Sequence, residues 1–343
     1  MGGDHGPSVV APAIAIALDR LQGADVRFLL HGDEARIRPE LAKGPAAAAA
    51  SEIRHTDQVI AADDKPAQAV RRGKGASLWN AVEAIKTGDA HAALSAGNTG
   101  ALMAISKLLL RMVSAELDRP AIVASWPTLR GVTAVLDVGA NVSCDASQLV
   151  EFAIMGEAFH CAVHGSSKPT VGLLNVGSEE QKGHEEVREA HRLLRETELP
   201  IAYKGFVEGD DIAKGTVDVI VTDGFTGNVA LKTAEGMARF FTTVMKDTFT
   251  SSLQARLGAL IAMPALKKMR ARMDPSSVNG GPLLGLNGIV VKSHGGADAK
   301  GFANAIVIAA NMARSDYAHK IEGNMQRLAI ELEKLKQPAE AVQ

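Results

Sequence analysis

Cysteine is almost missing from this chain of 343 residues: Cys144 and Cys161 stand alone, and no Cys-x-x-Cys pair occurs. A disulfide framework is therefore excluded. Long hydrophobic runs are missing too, since Lys, Arg or Pro interrupts each apolar stretch well short of the ~18 residues that would span a bilayer. No basic segment followed by an apolar one opens the chain, so nothing supports secretion. An excess of one charge is lacking as well. Lys and Arg number 37 and Asp and Glu 39, a net charge of −2, which argues against a general nucleic-acid binder. The simplest placement is the cytosol.

Several signatures are also absent. No Gly-x-Gly-x-x-Gly follows the first predicted strand and no Gly-x-x-x-x-Gly-Lys-Ser/Thr occurs, so a nicotinamide enzyme or a P-loop nucleotidase is unsupported. No Gly-x-Ser-x-Gly nucleophile elbow is present. What remains is a globular composition, 46% hydrophobic and 22% charged, long enough for one large α/β domain or two ordinary ones.

Short β-rich runs alternate with helical spacing almost throughout. Strands are expected at 26–30, 92–94, 121–125, 132–136, 171–174, 201–203, 217–222 and 289–292. Helices are expected at 9–21, 67–86, 101–112, 146–162, 179–196, 229–249 and 299–336. This alternation predicts an α/β fold, a mostly parallel sheet covered by helices on both faces. Several strands are continuously apolar, as strands buried on both sides should be. Ala46–Ala50 reads as a loop or helix end. No linker divides the chain, so 1–343 reads as one α/β domain.

One stretch departs from the alternation. Residues 250–273 carry Leu253, Leu257, Leu260 and Ile261 on one helical stripe, which Leu266, Met269 and Met273 continue after Pro264. Arg256, Lys267, Lys268, Arg270 and Arg272 supply a basic side. Such a segment suits an anionic membrane surface. It equally suits a helix hairpin that packs on the body or on a second subunit, bent at Pro264.

Glycine is in surplus, 33 residues where average usage gives about 24. Eight of the 33 lie where strands hand over to helices, namely Gly97, Gly100, Gly139, Gly177, Gly224, Gly227, Gly295 and Gly296. They sit in Ser95-Ala-Gly-Asn-Thr-Gly100, Asp137-Val-Gly-Ala-Asn141, Asn175-Val-Gly-Ser178, Asp223-Gly-Phe-Thr-Gly-Asn228 and Ser293-His-Gly-Gly-Ala-Asp298. In an open parallel sheet such exits line one edge, where ligands bind. Glycine permits sharp turns and close approach, and each following helix offers free N–H groups to an anion. Together the five loops predict a phosphate or other oxyanion site on one edge.

Other residues are less telling. His160 and His164, four apart, have metal-ligand spacing, yet in an apolar helix without an adjacent Glu they read as packed or surface histidines. Asp4, Asp137, Asp223 and Asp298 make no tight acidic cluster that demands a divalent ion. Glu179 and Glu180 are ordinary first-turn acids. Lys182 opposes the helix dipole, which makes sense if it reaches a bound anion; a solvated lysine is the other reading.

Taken together, MGGDHGP, LSAGNTGALMA, LDVGANVSCD, LLNVGSEEQKGHE, YKGFVEGDDI, TDGFTGNVALKTAEG, GGPLLGLNGIVVKSHGGAD and KGFANAI run in order along the chain. They resemble the bacterial acyl-(acyl-carrier-protein):phosphate acyltransferases of phospholipid synthesis. The resemblance implies a three-layer αβα Rossmann-like sheet, related to phosphate acetyltransferases and isocitrate-type dehydrogenases. It also implies a homodimer, peripherally associated with the inner face of the cell membrane. The implied reaction moves a long fatty acyl chain from acyl carrier protein to inorganic phosphate, without metal or organic cofactor. A membrane glycerol-phosphate acyltransferase would consume the product.

By the same resemblance Lys182 and Asn228 are the catalytic pair. Asn98, Thr99, Gly139, Asn141, Gly177, Ser178, Asp223, Gly227, His294, Asp298, Asp4 and His5 are expected around substrate and phosphate. Arg71, Arg72 and Lys74 form a basic run suited to an acidic carrier protein, or a solvated face. Residues 250–275 correspond to a protruding helical segment with Leu257, Leu260, Ile261 and Leu266 toward the membrane. Family members begin with a short hydrophobic strand before Met-Gly-Gly-Asp, so a start upstream of Met1 is expected. Two other functional readings are a dehydrogenase of the isocitrate-type fold and a non-catalytic membrane scaffold for lipid-synthesis proteins.

Overall fold

The structure is a computed structural model describing residues 1–22, 25–272 and 274–336. Helix α1 (Pro7–Arg20) precedes strand β1 (Phe28–Gly32), helices α2 (Glu34–Leu41) and α3 (Pro45–Ala49), and strand β2 (Ser51–His55). Next come α4 (Pro66–Arg72), α5 (Ser77–Thr87), β3 (Ala92–Ser95), α6 (Thr99–Leu110), β4 (Ala121–Pro127) and β5 (Val132–Leu136). The middle of the chain holds α7 (Ala146–His164), β6 (Thr170–Leu174), α8 (Glu185–Glu196), β7 (Ala202–Val207), α9 (Gly209–Lys214) and β8 (Val219–Val221). The last third holds α10 (Gly224–Thr250), α11 (Leu253–Arg272), β9 (Gly281–Leu284), β10 (Ile289–Lys292), α12 (Ala299–Arg314) and α13 (Tyr317–Lys336).

The architecture is the mixed α/β fold that the alternation predicted. Two strands, β2 and β9, escaped the sequence pattern. Two long helical stretches are each two helices: 67–86 breaks at Gly73 and Gly75, where Gly75 has φ +88°, and 299–336 breaks at Ser315, extended with φ −93° and ψ 166°. The stretch 46–50 forms most of the short helix α3.

Eight strands form the main sheet in the order β3-β10-β9-β4-β5-β8-β6-β7. β3 and β10 are parallel, and β5, β8, β6 and β7 are parallel among themselves. Between these groups β9 is antiparallel to β10 and to β4, and β4 is antiparallel to β5. Three reversals leave the two parallel groups pointing in opposite directions. The expectation of five loops along one edge is therefore corrected. Loops 95–100 and 293–298 leave toward one edge, and loops 137–141, 175–178 and 223–228 toward the other. The cause is β9, unseen in the sequence, whose insertion beside β4 reverses the second half of the sheet.

β1 and β2 form a separate parallel pair. A cavity of about 850 Å³ is lined by Leu30 of β1 and Leu94 of β3, with Ile37, Leu78 and Ile306 of α2, α5 and α12 among the helical residues around it.

Helix α7 is the centre of the main core. Every residue from Leu149 to His160 is buried, as expected of a helix that is apolar nearly all round. It begins with a capping box, in which Asp145 accepts from the Gln148 N–H at 2.8 Å and Gln148 Oε1 accepts from the Asp145 N–H at 3.1 Å. His160 and His164 pack ring to ring at 4.8 Å within this layer, with His164 Nε2 3.2 Å from Ser125 Oγ.

The hairpin α10–α11 is different in kind. Of α10 only Gly224 and Gly227 are buried. The turn between the helices lies at Ser251–Ser252, and α11 continues through Pro264. Pro264 therefore does not mark the bend, and the helical pair begins well before residue 250. Among the described residues, 11 of the 18 exposed large apolar side chains lie on these two helices. Leu253, Leu257, Leu260 and Ile261 are exposed, whereas Leu266 and Met269 are half-buried, in step with Ala255, Ala259 and Ala262. The single stripe read from the sequence is thus two faces, because an α-helix of period 3.6 separates 253–261 from 266–269 by most of a half-turn. Met273 lies outside the described residues. No described helix is long and apolar enough to cross a membrane.

Candidate active site

Asp137, directly after β5, organises the loop 137–141. It is fully buried and its carboxylate accepts five hydrogen bonds. Oδ1 receives the N–H groups of Ile122 at 3.0 Å, Gly139 at 3.2 Å and Ala140 at 3.0 Å. Oδ2 receives the Asn141 N–H at 2.5 Å and Asn141 Nδ2 at 3.0 Å. Burial pushes this carboxyl above the ordinary range, and the donors act against that. The side chain replaces a missing backbone partner for each amide of the turn. Asn141 Nδ2 also donates to Pro120 O at 2.9 Å, which ties the loop to β4. Asn141 is buried and thereby committed to structure.

The start of α10 presses against this loop. Asp223 caps the helix, accepting from the Thr226 N–H at 2.9 Å and Thr226 Oγ1 at 2.7 Å. A Cβ on Gly227 would stand 1.9 Å from Asp137 O, so only glycine lets the first turn of α10 sit there. Asn228 follows and donates from Nδ2 to Val138 O at 3.0 Å. Gly139, at φ +135°, lies beneath that amide; a Cβ there would come within 2.8 Å of Nδ2. An amide nitrogen carries two hydrogens, and the second has no partner among the described residues. Asn228 is exposed at the surface of the loop.

Strand β6 pairs directly with β8, so the loop after β6 lies beside Asn228's loop. Here the aliphatic chain of Lys182 crosses Gly177, where a Cβ would lie 2.5 Å from Lys182 Cδ. Nζ pairs with Glu179 Oε1 at 2.9 Å. The hydrogen bond and charge of Glu179 raise Lys182 above the ordinary lysine range, and Lys182 in turn lowers Glu179. The helix predicted from residue 179 begins only at Glu185, so Lys182 belongs to a loop rather than a helical first turn. Gly177 is buried beneath it and Ser178 is exposed. Cys144 also lies near Asp137, and burial together with that negative charge pushes its thiol up to about 12. It is no thiolate nucleophile at neutral pH.

The remaining candidates gather in a second cluster. The Asp4 N–H donates to Gly295 O at 2.8 Å, and a Cβ on Gly2 would meet Gly97 Cα at 2.5 Å. The opening motif thus packs onto the loops after β3 and β10, with His5 exposed beside it. Asn98 caps α6, accepting from the Ala101 N–H at 3.0 Å, and its Nδ2 serves the carbonyls of Ala61, Ala62 and Asp64. Asp298 caps α12 through the Gly301 N–H at 2.8 Å. His294 Nδ1 accepts from the Gly296 N–H at 3.2 Å, and Thr99 is exposed at the first turn of α6. Among the described residues no hydrogen bond or ion pair joins this cluster to that of Lys182 and Asn228. Arg71, Arg72 and Lys74 are exposed around the end of α4, which packs on α6 beside Asn98.

Comparison with known proteins identifies the class of chemistry. Residues 1–320 match the family described as "Fatty acid synthesis protein". A phosphate acyltransferase of Caulobacter vibrioides is 72% identical over 328 residues, covering 96% of this chain and 90% of that protein. That of Maricaulis maris is 57% identical over 330 residues, covering 96% and 94%. The chain belongs to the phosphate acyltransferase family. It is an enzyme, and neither the dehydrogenase nor the scaffold reading is favoured. The fold agrees with solved structures of a different group. A phosphotransacetylase from Streptococcus pyogenes superposes with a TM-score of 0.58 at 18% identity, over 90% of this chain and 92% of that one. The EutD phosphotransacetylase from Staphylococcus aureus gives 0.55 at 16% identity, over 88% and 98%. These two share the αβα sheet with this acyltransferase.

The sequence singles out Lys182 by its place near a helix start and, through the family resemblance, Asn228. It offers Asp137 only as a possible cation ligand and gives Asn175 no role. Asp137 was legible as the first residue of an Asp-x-Gly-x-Asn turn, a pattern in which a carboxylate gathers the following amides.

Proposed function

We propose that this acyltransferase moves a fatty acyl group from an acyl-carrier-protein thioester to inorganic phosphate at the Lys182–Asn228 cluster. The observation that carries this reading is the pairing of β6 with β8, after which a cation, Lys182, and an amide donor, Asn228, follow on neighbouring strand exits. Gly139 and Gly177 keep the backbone beneath them free of side chains. Phosphate is already a nucleophile, so no Ser–His–Asp relay is needed to make one. Lys182 holds phosphate and screens its charge as an oxygen attacks the thioester carbonyl carbon. The carbonyl oxygen becomes an oxyanion, which accepts the second N–H of Asn228; one such donor is worth about 3 kcal/mol of barrier. The C–S bond then breaks, the carrier leaves as thiolate, and acyl phosphate remains. A membrane glycerol-phosphate acyltransferase would take that product. Gly139, Gly177, Ser178 and Gly227 line the phosphate position, and Asp223 caps the helix beside it.

The test is release of free carrier protein from a long-chain acyl carrier protein, measured with and without added phosphate. Lys182→Ala and Asn228→Ala should each lower turnover at least 100-fold while the fold persists. Near-normal turnover in either variant would sink the mechanism.

We further propose that the hairpin α10–α11 carries two contacts. Met237, Phe240, Phe241 and Val244 on the outer face of α10 meet a second copy of the chain. Leu253, Leu257, Leu260 and Ile261 enter the membrane surface. The exposure of both faces supports this, because a two-helix pair with so little covered apolar area needs an external partner. Replacing Leu257 and Leu260 by Glu should abolish flotation with anionic liposomes and leave turnover on soluble substrate intact. Unchanged flotation would remove this segment as the anchor.

A further inference from the structure

The loop that carries Lys182 is closed at its neck by one side chain. Asn175 is the first residue after β6, and its own N–H donates to Val207 O at 2.9 Å, so its main chain is still part of the sheet. Its side chain reaches across the loop, and Nδ2 donates to Lys182 O at 3.0 Å, seven residues ahead. The next residue fits only because it is glycine. Gly183 has φ +90°, and a Cβ on it would fall 1.9 Å from Asn175 Oδ1 and 2.8 Å from Cγ. Lys182 is thus fixed at its carbonyl by Asn175, along its chain by Gly177 and at its ammonium by Glu179. Two of these contacts act on a flexible side chain. On the backbone from which that chain springs, the Lys182 N–H donates to Glu179 O at 3.0 Å within the loop, whereas the Asn175 contact refers Lys182 directly to the sheet.

We propose that Asn175 is the positioning residue of Lys182, setting the place of its backbone so that the ammonium meets phosphate in line with the thioester. The reasoning is geometric. A lysine has four side-chain torsions and finds a fixed anion efficiently only if its Cα is held. The segment Val176–Gln181 is largely exposed apart from Gly177; its other ties are the Lys182 N–H to Glu179 O within the loop and contacts from Arg195 to Glu180 and from Arg188 to Gln181 O, both from exposed arginines of α8. An amide suits the task because Nδ2 donates to Lys182 O while Oδ1 fills the space left by the missing Cβ of Gly183. Alanine loses both functions. Aspartate keeps the shape but sets a carboxylate oxygen against the Lys182 carbonyl, turning an attraction into a repulsion.

This inference rests on the proposed phosphate-holding role of Lys182, and the experiment separates the two. Initial rates of carrier release are measured for the full chain against varied phosphate and, separately, varied acyl carrier protein. The proteins are wild type, Lys182→Ala, Asn175→Ala, Asn175→Asp and Gly183→Ala. Absence of phosphate-dependent release in the wild type, or full activity in Lys182→Ala, overturns the functional reading itself. Given an active wild type and an impaired Lys182→Ala, Asn175→Ala should raise the KM for phosphate at least fivefold. Its KM for acyl carrier protein should stay within twofold, with Tm close to wild type, and high phosphate should restore most of the rate. Asn175→Asp and Gly183→Ala should show the same selective defect, the latter with Asn175 still in place. A wild-type KM for phosphate in folded Asn175→Ala refutes the proposal. So does a loss that falls equally on both substrates. If Asn175→Ala does not fold, isosteric Asn175→Asp decides by the same criteria.

Discussion

Replacing Glu151 by Gln should stabilise this protein at pH 8 and leave it nearly unchanged at pH 5. Glu151 lies on α7, is 6% exposed, and its Oε2 has no hydrogen-bond partner among the described residues. Burial first, then the charges of Asp145 and Asp118, raise its carboxyl to about 7 from an ordinary value of 4.5. A carboxylate forced to ionise there works against folding. Below pH 4.5 both folded and unfolded chains hold the proton and there is no penalty. As pH rises the unfolded chain releases its proton first, and stability falls until the folded group has ionised too. Each pH unit in that window is worth about 1.4 kcal/mol, so the wild type gives up about 3 kcal/mol by pH 8. Glutamine has the same shape and does not titrate, so it removes that slope. The assay is denaturant unfolding of wild type and Glu151→Gln at pH 5 and pH 8. The difference between the proteins should grow by about 2–3 kcal/mol between those conditions, and taking the difference cancels every other titrating group. A gap that does not widen with pH would refute the account of Glu151.

Three further outcomes follow from the same geometry. Burial and the neighbouring His160 lower His164 to about 4, so it is neutral in the fold. The unfolded chain gains a proton below about 6.5 that the folded one refuses, so stability is lost as pH falls from there toward 4, by up to about 3 kcal/mol. His164→Gln should flatten that acid limb in thermal melts, and an unchanged limb would count against the assignment. Gly227→Ala should destabilise by 3 kcal/mol or more, because its Cβ would lie 1.9 Å from Asp137 O; a wild-type Tm would disprove the contact. Gly139→Ala should lower Tm, because φ +135° strains a residue that carries a Cβ, and should cut turnover, because the new methyl displaces the Asn228 amide; unchanged kcat in the folded variant would argue against that amide's role.

Much of this molecule was legible in one dimension. The runs VTAVL at 132–136 and IVVK at 289–292 are the strands β5 and β10, residue for residue, because mostly apolar, β-branched runs without alternation suit a strand covered on both faces. The capping Asp223 and Asp298 sit where an acid should precede a helix, and glycines mark the handovers between elements. Lys182 drew notice because a cation near a helix start is out of place; the structure moves that start to Glu185, yet the lysine remains beside a paired carboxylate. β9 was hidden because four residues containing Gly and Pro show no alternation. β2 was hidden because its residues are mostly exposed and polar.

The sequence by itself determined the class of fold and the family, and singled out Lys182 and Asn228 as candidates. These depend on local propensity, burial pattern and an ordered set of motifs, all of which are carried by neighbours in the chain. Only the tertiary structure decided which loops stand together. Strand direction is set by pairing, and the pairing of β9 with both β10 and β4 separates the loops of Asn98 and His294 from those of Asn228 and Lys182. The roles of Asp137 and Asn175 were decided there too. Both act by filling backbone hydrogen bonds that exist only once the chain has turned back on itself.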